Sequence, residues 1–250
     1  MKNDILAVIP ARYNSSRFPG KPLAEISGRS ILEHLYREFS WSKLVTRVVV
    51  ATDSDIIKTA VEKFGGEVIM TSKKHRTGSD RSAEVAMRSG AKIIINVQAD
   101  HLGLKAADYD RVIREMIADR TINHATFIRK IETESDLFDA NRVKVIFDKD
   151  NNAIWFSRYP LPYLQSINGD RLATFDFYYH IGVYFYRRAA LEKYAALPRS
   201  AHEKAESLEQ LRILDNGGKI RLFKIKRDMI SIDTPEDLKN ATRILNRSGG

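Results

Sequence analysis

The chain has 250 residues, 43% of them hydrophobic, and carries a formal charge of +9 from 41 Lys and Arg against 32 Asp and Glu. That is ample for a buried core and favours anionic partners: nucleic acid, anionic lipid, or small phosphorylated or carboxylated molecules. With no cysteine there is no disulfide framework, thiolate nucleophile or cysteine-held metal, and His202-Glu203 lacks the second histidine of a zinc HExxH.

The N-terminal run ILAVI, preceded by Asp4, is too short for a signal peptide, and no stretch approaches the ~20 apolar residues of a membrane span. A cytoplasmic protein with no membrane partner is expected. Six apolar, β-branched runs follow, at 5–9, 47–51, 67–70, 92–97, 143–147 and 181–186. They are continuous rather than alternating, which predicts strands buried on both faces of a largely parallel sheet.

Helical stripes lie between them. Ile31, Leu35 and Phe39 step by four; Ile57, Ala60, Val61 and Phe64 share a face, as do Tyr109, Val112, Ile113, Met116 and Ile117. Ser30 with Glu33 reads as a capping box, and Gly65-Gly66 as a helix stop. Strand–helix alternation over the first 120 residues predicts a doubly wound α/β arrangement, with ligands beyond the carboxyl ends of the strands. From about 150 to 190, Pro160, Pro162, the polar QSINGDR stretch and a group of aromatics break the rhythm. This segment is expected to be a lid or dimerisation excursion within a single domain spanning 1–250, and KIRLFKIKR (219–227) reads as a basic strand.

Four stretches could carry chemistry. PARYNSSRFPGKPL (10–23) leaves the first strand and sets Arg12, Arg17 and Lys21 at a carboxyl end, with Gly20 allowing close backbone approach. A polyphosphate is the natural guest, a solvated basic loop the alternative; neither GxxxxGK[ST] nor GxGxxG is present. NVQAD (96–100) puts Asp100 at the end of another strand, either as a magnesium ligand or as a helix cap. In SIDTPEDL (231–238), Thr234 is a good N-cap, Pro235 fits the first turn, and Asp233 is left to complete a hard-cation site with Asp100, unless it caps the helix itself. KAESLEQLR (204–212) reads as a helix with Glu206, Glu209 and Gln210 on a solvated face, and His180 as an ordinary half-buried histidine.

Taken together, IPARYNSSRFPGKPL, VVVATDSDII, HRTGSDRSAE, NVQAD, NRVKVIFD, WFSRYPLP, HIGVYFYR, ESLEQLR and IDTPEDL resemble, in order and spacing, the CMP-Kdo synthetases, the 3-deoxy-manno-octulosonate cytidylyltransferases. The resemblance implies a Rossmann-like nucleotidyltransferase fold with a mostly parallel sheet flanked by helices, a homodimer, and the transfer of CMP from CTP to a 3-deoxy-ulosonic acid with release of pyrophosphate. It implies that Arg12, Arg17 and Lys21 clamp the triphosphate, with Arg17 and Lys21 easing pyrophosphate away. Pro10, Ala11, Thr77, Gly78 and Arg81 would meet the cytidine, and Asp100 and Asp233 would hold Mg²⁺. Gln98, Arg158, His180, Tyr184, Glu209 and Gln210 match positions that face the sugar acid.

Three departures fall on the sugar side. Ala99-Asp100-His101-Leu102 stands where the family continues Gly-Asp-Glu-Pro, Tyr179 stands where a basic residue usually precedes the histidine, and His202 and Ala205 replace apolar residues. They point to Kdo or a variant such as an amino derivative as acceptor. The competing expectations are a nucleotidyltransferase for another acid sugar, and a basic anion- or nucleic-acid-binding protein. No RNP, zinc or helix-turn-helix signature supports a nucleic-acid partner.

Overall fold

The computed structural model describes residues 4–14, 18–75, 77–98, 101–165, 169–227, 230–232 and 234–248. The chain divides into two compact units, 1–115 with 227–250, and 116–226.

In the first unit, β1 (Ile5–Ala11) is buried along its whole length. A 3₁₀ turn (Lys21–Leu23) and a short hairpin of β2 (Glu25–Ile26) and β3 (Arg29–Ser30) lead into α1 (Ile31–Ser40). Then come β4 (Arg47–Thr52), α2 (Asp55–Lys63), β5 (Val68–Met70), α3 (Gly78–Met87), β6 (Ile93–Val97), β7 (His101–Leu102) and α4 (Ala106–Ala118). Strands β6, β1, β4 and β5 pair side by side, all parallel, and α1 and α3 pack on β1 and β4. Both faces of β1 are therefore covered, which is why its apolar run does not alternate. With β1 flanked by β6 and β4, the loops leaving β1 and β6 diverge at the carboxyl edge, where α/β sheets place ligands.

The second unit holds β8 (His124–Lys130), α5 (Glu134–Phe138), β9 (Lys144–Phe147), β10 (Ala153–Ser157), α6 (Arg171–Thr174), β11 (Tyr178–Arg187), α7 (Arg188–Ala196), α8 (Ala201–Glu206), α9 (Leu211–Asp215) and β12 (Arg221–Ile225). β12 runs parallel to β8, β8 antiparallel to β11, and β11 and β10 both antiparallel to β9. The ladder of β11 with β8 shifts between Ile181 and Tyr184. The chain returns to the first unit through β13 (Ile230–Ser231) and α10 (Pro235–Ser248). No helix among the described residues is long and apolar enough to cross a membrane.

All six expected strands occur, as β1, β4, β5, β6, β9 and β11, and 219–227 contains β12. The mostly parallel sheet flanked by helices is as expected. Ser30 caps α1, its hydroxyl accepting from the Glu33 amide at 3.1 Å. The box is only half formed, because the Glu33 carboxylate turns to Arg37 at 2.7 Å. Gly65 ends α2 at φ 76°, and the Gly66 amide reaches back to the Val61 carbonyl at 2.9 Å. The helix expected over 204–212 is broken: Ser207 adopts the left-handed conformation at φ 53°, ψ 47°, so α8 stops at Glu206 and a new turn begins at α9. Leu208, just past the break, is buried at 5% exposure.

Candidate functional site

In the first unit the basic loop is folded back on itself. The Gly20 amide donates to the Tyr13 carbonyl at 2.8 Å, and Gly20 sits at φ 73°, a conformation that glycine adopts without steric cost. That turn starts the 3₁₀ segment bearing Lys21, whose ammonium donates to the Ile232 carbonyl at 2.8 Å. Arg12 is exposed, and its guanidinium donates to the His75 carbonyl. Pro10 and Ala11 are buried at the end of β1. Arg17 lies outside the described residues.

The HRTGSDR loop is tied to the same edge. Thr77 caps α3, accepting from the Asp80 amide at 3.0 Å, and the His75 imidazole pairs with Glu84. A Cβ on Gly78 would stand 3.1 Å from the Pro10 ring and 3.2 Å from the Gln98 amide nitrogen, so Gly78, Pro10 and Gln98 pack against one another. Gln98, expected on the sugar side, is thus placed beside two residues expected at the nucleotide. Arg81 is fully buried, bonded to Thr71 and paired with Asp53 at 2.9 Å. Its guanidinium faces protein.

Asp100 and Asp233 lie outside the described residues, but their neighbours are well placed. β7 and β13 pair antiparallel with Ser231 opposite His101, so facing chain segments run to within one residue of Asp100 and two of Asp233. Ile232, buried between the ladder and Asp233, is the residue that Lys21 holds. Thr234 caps α10: its hydroxyl accepts from the Asp237 amide at 3.2 Å, and its own amide and hydroxyl donate to the Asp237 carboxylate. The cap therefore does not require Asp233. By the chemistry of its donors, a pair of aspartate carboxylates suits a hard divalent cation with phosphate oxygens. The described residues hold no cluster of three or more His, Asp or Glu that could bind a metal.

In the second unit, five expected sugar-side residues gather around β11 and the α8–α9 turn. His180 is 8% exposed, with Nε2 at 2.9 Å from the Thr126 hydroxyl. That hydroxyl also lies 2.7 Å from the Val183 carbonyl and 3.1 Å from that of Ile181. Its single proton goes to a carbonyl, so the His180 Nε2 carries the hydrogen and donates. The carbonyls are those of the β11 bulge, so the irregularity orients the imidazole. The His180 ring packs on Phe156 and Tyr184 at 5.3 and 5.1 Å. The Tyr184 hydroxyl donates to Gln210 at 3.0 Å, and burial pushes its pKa well above the usual phenol value.

Arg158 is held by the chain itself. Its Nε donates to the Glu206 carbonyl at 2.7 Å and Nη1 to the Ala140 carbonyl at 2.9 Å, while the Glu206 carboxylate accepts from the Arg158 amide and the Ser157 hydroxyl. With Nη2 donating to the Ser207 carbonyl at 3.5 Å, three carbonyls fix the plane of the guanidinium without neutralising its charge, leaving two of its five N–H groups for an anion. Nearby, Lys144 is fully buried on the Asp139 carbonyl at 2.9 Å, and burial lowers its pKa.

Several positioning residues escape a reading of motifs. Asn96 is fully buried and holds both serines of TGSDRS, accepting from Ser82 and donating to Ser79 at 3.0 Å each, which locks α3 onto β6. Thr126 and Glu206 do the same for His180 and Arg158. Asn96 lies within a quoted motif, and its polarity inside an apolar strand was the available signal. Thr126 offered none, being an isolated threonine in a mixed segment.

A parallel α/β unit with a basic loop at the carboxyl edge suits an enzyme that handles nucleotides, and the comparisons place this chain in the nucleotidyltransferase class. The cytidylyltransferase family model matches residues 6–222. The chain is 44% identical over 245 residues to the 3-deoxy-manno-octulosonate cytidylyltransferase of Geobacter sulfurreducens, covering 94% of this chain and 97% of that one. It is 43% identical over 251 residues to that of Thermodesulfovibrio yellowstonii, covering 96% and 98%. It superposes on a solved CMP:2-keto-3-deoxy-manno-octonic acid synthetase complexed with CTP with a TM-score of 0.91 at 36% identity, covering 98% of this chain and 99% of that one. A cytidylyltransferase from Leptospira borgpetersenii, 17% identical with a TM-score of 0.65 over 98% of this chain and 87% of its own, shares the fold. The chain belongs to the cytidylyltransferase family, among its 3-deoxy-manno-octulosonate cytidylyltransferases.

Proposed function

We propose that this protein transfers CMP from CTP to the anomeric hydroxyl of 3-deoxy-manno-octulosonate or an amino variant of it, releasing pyrophosphate. The observation that carries the reading is the anchoring of the basic loop: Lys21 is tied at 2.8 Å to the carbonyl immediately before Asp233, so the cation is held beside the acidic segment. An in-line attack on the α-phosphorus needs no covalent enzyme intermediate, only positioning and neutralisation of developing charge. Arg12 and Arg17 hold the triphosphate, and Lys21 stabilises the pyrophosphate as it departs. Gly78, Pro10 and Ala11 form the surface for the cytidine, with Thr77 fixing the start of α3. Arg81 shapes this surface through Thr71 and Asp53.

Asp100 and Asp233 are the residues that would hold Mg²⁺, which supplies neutralisation of the triphosphate charge when bound. In the second unit, Arg158 pairs with the sugar carboxylate, and His180, Tyr184, Glu209 and Gln210 meet the hydroxyls. Gln98 stands with the nucleotide residues and serves the reacting end of the acceptor. The reaction belongs to the cytoplasm. Tyr159 and Tyr163, 77% and 88% exposed, border a recess of about 310 Å³ with Phe138 in the second unit. We assign this apolar face to a second copy of the chain, and sedimentation should give a dimer mass.

Two measurements test the reading. Pyrophosphate release with this acceptor is expected with CTP and near background with ATP, GTP or UTP; failure with CTP defeats it. Arg158→Lys, which loses planar two-point recognition, is expected to raise the KM for the sugar acid about 10–100-fold, corresponding to the ~1.5–3 kcal/mol of a hydrogen bond to a charged group. The KM for CTP should be unchanged; a shift in both would place Arg158 elsewhere. The altered Ala99–Leu102 and Tyr179 positions predict that an amino-substituted acceptor is used at least as well as Kdo, which a substrate panel at saturating CTP measures.

A further inference from the structure

A cavity of about 510 Å³ in the second unit lies among α7, the segment after α9 and the start of β8, and none of the residues assigned to the sugar acid lines it. Its size falls in the range of small-molecule sites, roughly 300–1,000 Å³. Leu197 and Ile213 supply an apolar wall, and Lys193, Lys219 and His124 a basic one. An adjoining recess of about 440 Å³ shares His124 and Lys219 and adds Arg221, with Asp150 as its carboxylate.

Three features of the lining bear on what this cavity would take. The Tyr194 side chain lines the cavity at 2% exposure and adds an aromatic surface to the apolar wall. On α7 it is Arg188, not Lys193, that pairs with Glu192; Lys219 engages His124 through its carbonyl, at 3.1 Å, and its charge also acts on Asp148. Burial lowers the His124 pKa, the hydrogen bond with the Lys219 carbonyl opposing it and the nearby charge of Lys193 adding to it. An apolar wall facing a basic one selects a guest with the same asymmetry.

We propose that this cavity binds a small amphipathic organic anion, its carboxylate, sulfonate or phosphate head on the Lys193 and Lys219 side and a flat apolar body against Leu197, Ile213 and Tyr194. The site is distinct from that of CTP and stands whether or not the acceptor assignment above is right.

The test uses the full chain and 8-anilinonaphthalene-1-sulfonate as probe. Fluorescence titration is expected to show saturable one-to-one binding that saturating CTP does not displace. Lys193→Glu and Lys219→Glu should each weaken it at least tenfold, and Ala190→Trp, which fills the cavity, should abolish it. Thermal unfolding and pyrophosphate release should be unchanged in the two charge variants. Absence of saturable binding, displacement by CTP, or charge variants that bind like the parent would overturn the proposal.

Discussion

Lys21→Met is expected to lower turnover about 10²–10³-fold, the loss seen when one preorganised donor to a developing negative charge is removed. The reason is local. Gly20, at φ 73°, turns the chain so that Lys21 opens the 3₁₀ segment, and the ammonium is then fixed on the Ile232 carbonyl at 2.8 Å. The ammonium is thereby fixed to the carbonyl of the residue that precedes Asp233. An ammonium fixed before substrate arrives needs no reorganisation when pyrophosphate charge develops, so its removal should appear in kcat more than in the KM for CTP. Lys21→Arg restores the charge on a longer, planar head and should recover part of the rate. The stability cost of losing one part-buried hydrogen bond is only about 0.5–1.5 kcal/mol, so thermal unfolding separates lost chemistry from lost fold. Equal loss in the Arg and Met variants would show that the geometry of Lys21, and not its charge, is what matters.

Glu203→Ala is expected to cost about 3–5 kcal/mol, the penalty for leaving one partner of a buried ion pair alone. Glu203 and Arg212 are 1% and 3% exposed and meet through two bonds of 2.6 and 2.7 Å, with Arg199 adding a third at 3.1 Å. This clamp joins α8 to α9 across the Ser207 break and so sets the turn that presents Glu209 and Gln210. Arg212 also covers the Tyr194 ring at 4.4 Å. Burial by itself would raise the Glu203 pKa, but Arg212 and Arg199 outweigh it and hold the carboxyl below its ordinary value. A depressed folded value means the stabilisation is complete above the unfolded glutamate pKa of roughly 4.3 and is lost as pH falls through the folded one. In urea unfolding, the gap between parent and variant should be full at neutral pH and narrow on acidification below about pH 4. Replacing both partners, Glu203→Leu with Arg212→Met, should cost less than Glu203→Ala alone. A gap of under about 1 kcal/mol at neutral pH would mean that the pair is no more than a surface one.

Legibility in the sequence followed burial. β1, β4 and β6 could be read because both their faces are covered and their apolar runs are unbroken. β8 could not, since His124, Thr126, Arg129 and Lys130 interrupt it, and β10 was hidden inside a segment that its prolines and aromatics mark as irregular. The break at Ser207 had no signature, because the left-handed residue is not a glycine. At the site, the basic loop and the freedom of Asp233 from capping duty were local properties and could be argued from spacing, whereas the Thr77 cap of α3 was not read from the sequence. What joins distant segments was not legible: Arg81 with Asp53, Thr126 with His180 and Glu206 with Arg158 are separated by 28, 54 and 48 residues. The sequence shows which residues are polar, but only the fold shows whether a cation meets a ligand or another part of the chain. Arg81, buried and paired with Asp53, illustrates the second case.

The central claim is that the α-phosphorus of CTP is the atom attacked. It is tested most directly by following CTP labelled at the α-phosphate in the presence of Mg²⁺ and 3-deoxy-manno-octulosonate. The account requires the label to appear in a CMP-sugar, with one unlabelled pyrophosphate released per label transferred. Label retained in CTP with every ulosonic acid tried, or recovered in free CMP irrespective of acceptor, would contradict it.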